Sequence, residues 1–350
     1  MNENANGPNK NKMIEGEKRI PLPPGKIITV SSSPHIKSGE TTSTIMLSVI
    51  WALTPALAWG IYIFGFRALL LTVISVLSCV IFEFSYQKIM KKTVTIDDLS
   101  AVVTGILIAF NLPVNAPLWG PAVGGAFAVI IVKQLFGGIG KNIVNPAIAA
   151  RIFMFLSFRF MIVFQDIGAN KIPPFAINPE VVAGATPLAS LKHGILPDIG
   201  LFNMFLGEKG GCIGEISVLC LIAGGIFLMW RKIISWHIPI SFIGVVALLT
   251  FFFPHETGDG LNFAVTQILS GGLFLGAIFM ATDYATSPIT VNGKLIFGAG
   301  CGLITVFIRY FGAHPEGVSF AVMIMNLFVW YLDKFTKPVR FGGAANAKKE

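Results

Sequence analysis

The sequence predicts an all-α integral membrane protein with about ten transmembrane helices, arranged as two inverted five-helix repeats. Three observations carry this. Of 350 residues, 54% are apolar and only 13% charged, against roughly 25% charged in an ordinary soluble domain, and mean hydropathy is +0.73. Apolar runs of the roughly 20 residues that cross a bilayer recur along the chain. The two halves also resemble each other. This composition excludes a soluble enzyme, a disordered chain and a fibrous protein. The net charge of +8 reads as membrane topology rather than nucleic-acid binding, because the bases gather in a few short loops and the two tails.

Residues 1–43 read as a polar cytoplasmic tail ending in a Ser/Pro turn at Ser31-Ser32-Ser33-Pro34-His35. Met1 to Lys26 lacks the apolar core of a signal peptide, so it is expected to stay in the mature protein. The first repeat, 44–164, holds spans expected at 44–64, 67–87, 99–112, 118–136 and 146–164. The hydrophilic connection 165–212 is too long for an incidental turn. The second repeat, 213–335, holds spans expected at 213–230, 235–253, 264–281, 294–311 and 317–335. Residues 336–350 form a basic tail. Lys and Arg concentrate in the loops on one side, which predicts cytoplasmic termini and an extracytoplasmic 165–212 loop.

The repeat signal lies in matched positions. Leu135-Phe136-Gly137 recurs as Tyr310-Phe311-Gly312, each after a small-residue span carrying Gly124-Gly125-Ala126 or Gly298-Ala299-Gly300. The weak spans 99–112 and 264–281 take corresponding places. One runs into Asn111-Leu112-Pro113, the other into Asp283 and Pro288. Five spans per unit invert the second unit, and interrupted spans in inverted repeats point to a central site near the midplane.

Cys79, Cys212, Cys220 and Cys301 form no C-x-x-C pair. They read as small packing residues and offer no four-thiolate cluster motif. The five histidines show no metal-ligand spacing. Ionisable groups at membrane depth are candidate functional groups. Glu83 reads as an interfacial carboxylate or a functional one. Asp97 and Asp98 suit the start of the short span. Asp283, beside Thr282 and Thr286, is a candidate for contact with a cation or a bound cofactor. Arg151 either pairs with a carboxylate or a cofactor carbonyl or snorkels to the interface. Gly137–Gly140 reads as a helix C-cap, with Asn142 and Asn145 either capping the helix that begins near Pro146 or bonding the edge of a cofactor.

The most informative stretch is Glu180-Val181-Val182-Ala183-Gly184-Ala185-Thr186-Pro187-Leu188-Ala189. A threonine hydroxyl that attacks a phosphoanhydride needs an open, adaptable loop. Gly184 and Ala185 leave the approach free, and Pro187 stiffens the far side. The stretch resembles the D-x-x-[S/T]-G-A-T flavinylation sequence of bacterial redox pumps, with Glu180 in place of the aspartate and Ala183 in place of the Ser/Thr. Ser33-Pro34-His35, Met46 to Pro55, Tyr62-Ile63-Phe64-Gly65, and Gly137 through Ala147 with Arg151 after it resemble the family that unites the D subunits of Rnf complexes with the homologous B subunits of sodium-pumping quinone reductases. The resemblance spans roughly 31–340.

It implies a subunit of an ion-translocating ferredoxin:NAD+ oxidoreductase in a bacterial or archaeal cytoplasmic (inner) membrane. FMN would be carried covalently on Thr186, with a noncovalent riboflavin as a further cofactor. The implied partners are a second FMN-bearing subunit, iron–sulfur subunits and a flavin transferase for maturation; nucleic acid is not among them. The electron relay would be coupled to Na+ or H+ transport. The alternatives are the quinone-reductase subunit and a solute channel or secondary transporter without redox chemistry.

Overall fold

Helices begin where polar side chains meet apolar runs. The computed structural model describes residues 40–165, 172–176, 184–254 and 260–338, and the regular structure of these residues is helical. The Ser31–His35 turn, Glu180 and Ala183 lie outside them. Helix α1 (Thr42–Phe64) starts at a Thr41/Thr44 capping box and ends at Gly65, where φ is +82°. Helix α2 (Phe66–Ile89) follows at once. Helix α3 (Ser100–Phe110) starts where Asp98 accepts the Ser100 N–H at 2.8 Å, the capping role expected of the acids there. Helix α4 (Gly120–Ala126) continues as a π-helical stretch, Phe127–Gln134. Asn145 accepts the N–H groups of Ala147 and Ile148 to start α5 (Pro146–Ser157), with proline at the favoured first position.

Two short helices interrupt the long connection, α6 (Pro187–Lys192) and α7 (Leu201–Leu206). Helix α8 (Val218–Trp230) is capped by Ser217. It is followed by α9 (His237–Phe252) and α10 (Gly260–Leu269). The short α11 (Leu273–Leu275) runs on as a π-helical stretch, Gly276–Met280. Helices α12 (Val291–Phe311) and α13 (Val318–Thr336) complete the described chain.

Among the described residues, four helices are long and apolar enough to cross a membrane: α1, α2, α12 and α13. The pair α10 and α11 adds a fifth crossing if its 62° bend is one broken span. The remaining apolar helices are shorter. Several predicted spans are therefore trimmed at their ends. The one placed at 146–164 stops at Ser157. The one placed at 213 begins five residues later, because residues 213–215 form a turn against the end of α3. There the Ile213 N–H donates to Leu112 at 3.0 Å and the Gly214 N–H to Phe110 at 3.1 Å.

Polarity is distributed as a membrane environment demands. Trp51, Ile89, Trp230, Phe311 and Phe335 are exposed, whereas Arg67, Glu83, Lys133, Arg151, Glu215 and Arg309 are buried. With lipid outside, charges must find partners inside the protein. Arg67, in the first turn of α2, donates to the carbonyls of Val114 and Ala116 at 2.8 Å and Ala176 at 2.7 Å. It supplies donors to irregular backbone that has no helical partners.

Candidate functional site

Thr186 caps α6. Its backbone is extended at φ −71° and ψ 150°, and its Oγ1 accepts the Ala189 N–H at 3.3 Å. Pro187 presets the first helical turn, and the Gly184 N–H donates to the Phe164 carbonyl at 3.1 Å. Gly184, Ala185 and Thr186 thereby line a cavity of about 320 Å³, within the roughly 300–1,000 Å³ of small-molecule sites. Phe155, Ile162, Phe164 and Leu188 give it apolar walls, and Glu215, His314 and Glu316 supply polar groups.

The two acids belong to a buried charge cluster. The Arg151 guanidinium contacts Glu316 and donates to Asn111 Oδ1. Its Nη1 lies 3.8 Å from Glu215 Oε2, beyond hydrogen-bond reach. Glu215 Oε1 accepts the Cys212 N–H at 3.0 Å, and Glu316 Oε1 accepts the Gly272 N–H at 3.2 Å. Glu215 Oε2 has no hydrogen-bond partner, although the residue is 4% exposed.

This cluster joins the cavity to two interruptions of the helices. Asn111 stands at the end of α3, and Ser270-Gly271-Gly272 separates α10 from α11. Gly271 sits at φ +66°, a backbone state that favours glycine. A Cβ on Gly272 would lie 2.7 Å from Glu215 Oε2, so the break makes room for the acid. The carbonyls freed at the end of α10 find donors in Lys209, which reaches Leu269, and Arg309, which reaches Gln267 at 2.7 Å and Ser270 at 3.1 Å. Burial lowers the Lys209 ammonium to about 8, against the opposing pull of Glu215.

Asn142, Asn145 and Asp283 line a second, smaller cavity of about 100 Å³ together with Ser100, Thr104 and Lys133. Asn145 also donates to the Met280 carbonyl at 3.3 Å, tying α5 to the second π-helical stretch. Asn142 bonds the Val144 carbonyl at 3.1 Å. The Asp283 carboxyl accepts from Thr286 at 3.1 Å; burial pushes its pKa up, and that hydrogen bond pulls the other way. The site residues named from sequence thus fall into two groups. Gly184, Ala185 and Thr186 share one cavity, with Arg151 holding its acids, and Asn142, Asn145 and Asp283 share the other.

Glu83 is not interfacial. It is 0% exposed and Lys133 3%, and Lys133 Nζ lies 2.8 Å from both carboxylate oxygens. Arg151 pairs with carboxylates rather than snorkelling.

Residues 29–342 match the model of the NQR2, RnfD, RnfE family. The chain belongs to this family. It is 45% identical over 326 residues to the D subunit of the Na+-translocating ferredoxin:NAD+ oxidoreductase complex of Acetobacterium woodii, covering 92% of this chain and 98% of the relative. It is 39% identical to the D subunit of the proton-translocating ferredoxin:NAD+ oxidoreductase complex of Clostridium ljungdahlii, covering 90% and 96%. It is 34% identical to the D subunit of the ion-translocating oxidoreductase complex of Escherichia coli O127:H6, covering 90% and 99%.

In this NQR2, RnfD, RnfE family chain the acids beside Thr186 escape sequence reasoning. Glu215 falls inside a predicted span, 213–230, and an acid at that depth is a usable signal. Glu316 abuts a span end and carries no such mark. Neither position hints at Arg151 as the partner.

Proposed function

We propose that the chain is the D subunit of an Rnf-type ion-translocating ferredoxin:NAD+ oxidoreductase complex and carries FMN through a phosphoester on Thr186. The observation that carries the reading is a threonine hydroxyl, within Gly184-Ala185-Thr186-Pro187-Leu188-Ala189, lining a ligand-sized cavity with aromatic walls. The residues suit such a group. Phe155 and Phe164 offer apolar faces to a flat ring system. Glu215, His314 and Glu316 give the cavity a polar side. Bound there, FMN would supply one- and two-electron transfer between carriers held by partner subunits. The protein's own part is to fix the tether, exclude water and set the charge around the ring. The names of the relatives support the complex and its ferredoxin and NAD+ partners. They divide between Na+ and H+, and Asp283 on the second cavity is our candidate for contact with the cation. At about 100 Å³ that cavity is below the size of a flavin site.

We further read the chain as ten spans in inverted repeats within the cytoplasmic membrane, both termini inside. The packing supports this. Helix α2 packs on α3 and α4 as α9 packs on α10 and α12, and across the halves α1 meets α8 and α5 meets α13. Labelling of Ser190→Cys in intact cells tests the orientation; labelling only after membrane disruption reverses it.

The decisive experiment is co-production of the chain with its flavin transferase, followed by in-gel fluorescence and peptide mass. Wild type should fluoresce and carry FMN on the Thr186 peptide, and Thr186→Ala should lose both. An unmodified wild-type peptide refutes the assignment and favours a transporter without redox chemistry.

A further inference from the structure

Two carboxylates share one guanidinium beneath the Thr186 cavity, and they share it unequally. Glu316 contacts Arg151 directly and also accepts the Gly272 N–H. Glu215 stands 3.8 Å away, with Oε1 on the Cys212 N–H and Oε2 without a hydrogen-bond partner. Both acids line the cavity. The charged and titratable groups around Glu215 are Arg151 on α5, Glu316 before α13, Arg309 on α12, Lys209 and Cys212 in the preceding connection, and His314 across the cavity. Three basic groups thus surround two acids, and Glu215 has the weaker hold on Arg151. A further negative charge placed in this buried cavity would act on Glu215 at low effective dielectric. A nearby like charge favours the neutral form of a carboxyl.

We propose that Glu215 is the proton acceptor coupled to electron arrival at the cavity. The proposal rests on the reading that Thr186 carries flavin there. One electron from a reduced one-electron carrier of a partner subunit would add one negative charge at the cavity. One proton taken up from bulk solvent would form an O–H bond at Glu215 Oε2, which has no hydrogen-bond donor in the structure. The added electron and the added proton would then cancel in the site's net charge, with the carrier oxidised and the flavin reduced. Oxidation of the flavin returns the proton. Arg151 and Glu316 position Glu215, and Gly272 leaves the space for the O–H. Because Arg151 also holds Asn111, and Glu316 the Gly272 N–H, each change of charge at Glu215 is felt at both helix breaks.

Redox-difference infrared spectroscopy and spectroelectrochemical titration of the purified flavinylated complex test this. In wild type, one-electron reduction of the Thr186 flavin should produce a protonated-carboxyl band. Its midpoint should fall by about 59 mV per pH unit, the equivalent of a tenfold change in proton concentration for a one-electron couple. Glu215→Gln should remove the band and flatten the slope at unchanged flavin content. Glu215→Asp should restore the slope with a shifted band. Absence of the carboxyl band in wild type overturns the proposal without recourse to a variant, as does a band and slope unchanged in Glu215→Gln. Wild type without flavin on the Thr186 peptide overturns the flavin reading and this one together. Flavin present without carboxyl protonation overturns only this one.

Discussion

Two buried charge clusters differ in how completely they are satisfied. In the pair formed by α2 and the π-helical continuation of α4, both oxygens of Glu83 lie 2.8 Å from Lys133, Gln134 adds a donor at 2.8 Å, and Ser100 accepts from Lys133. Nothing is left over in that pair. In the cluster around Arg151, one guanidinium serves two acids and an amide, and one buried oxygen of Glu215, a residue that lines the ligand-sized cavity, has no donor. A closed ion pair fixes helices against each other. An open one beside a cavity has capacity to respond to what enters it. The contrast separates a closed brace from an open cluster beside a cavity, although both are buried acids with basic partners.

The largest expected effect breaks the brace. Glu83→Ala or Lys133→Ala should destabilise by about 3–5 kcal/mol, because the remaining charge is buried without a counterion. Thermal unfolding in detergent measures this. Replacing both by leucine should recover most of the loss. Glu215→Gln should cost much less, since Arg151 keeps Glu316. Equal losses in the two clusters would erase the distinction.

Gly272→Ala comes next. Its methyl would meet Glu215 Oε2 at 2.7 Å, and overpacking of this kind costs roughly 1–3 kcal/mol. The same substitution in a Glu215→Ala background should cost less, and a double-mutant cycle reads the coupling.

Lys209 gives a smaller, pH-dependent effect. Its folded value of about 8 lies below the ordinary 10.5. Between these values the unfolded chain binds more protons than the folded one, so stability rises with pH from about 8 to 10.5. Melting temperatures of Lys209→Met should lack that rise.

Thr186→Ala should be mildest for the fold. It removes one N-cap bond, about 0.5–2 kcal/mol at most, on the short helix α6. Yet it should abolish the covalent flavin, so the melting temperature should barely move while fluorescence disappears.

Features set by near neighbours in the chain are legible in the sequence. Asn145 followed by Pro146 starts a helix in any context, and Asp98 caps because the Ser100 N–H is two residues away. The weak spans at 99–112 and 264–281 show as interruptions; in the structure the first is a short helix that ends at Phe110, and the second is broken between Leu269 and Leu273. The Thr186 stretch is legible as a chemical motif. Ion pairing is not. Glu83 and Lys133 are fifty positions apart, and each alone reads as an ordinary residue near a membrane surface.

The sequence by itself determined that this chain is apolar and helical, with short, weak spans near 99–112 and 264–281, because hydropathy, caps and breakers act over a few residues. It also determined that Thr186 is the hydroxyl to test. Only the tertiary structure decided that Arg151 meets Glu215 and Glu316 beneath that hydroxyl, and that Asn142, Asn145 and Asp283 gather elsewhere. Such meetings depend on how α3, α5, the α10–α11 break and the start of α13 converge. Burial, which gives these charges their strength, is a property of that convergence and of no single segment.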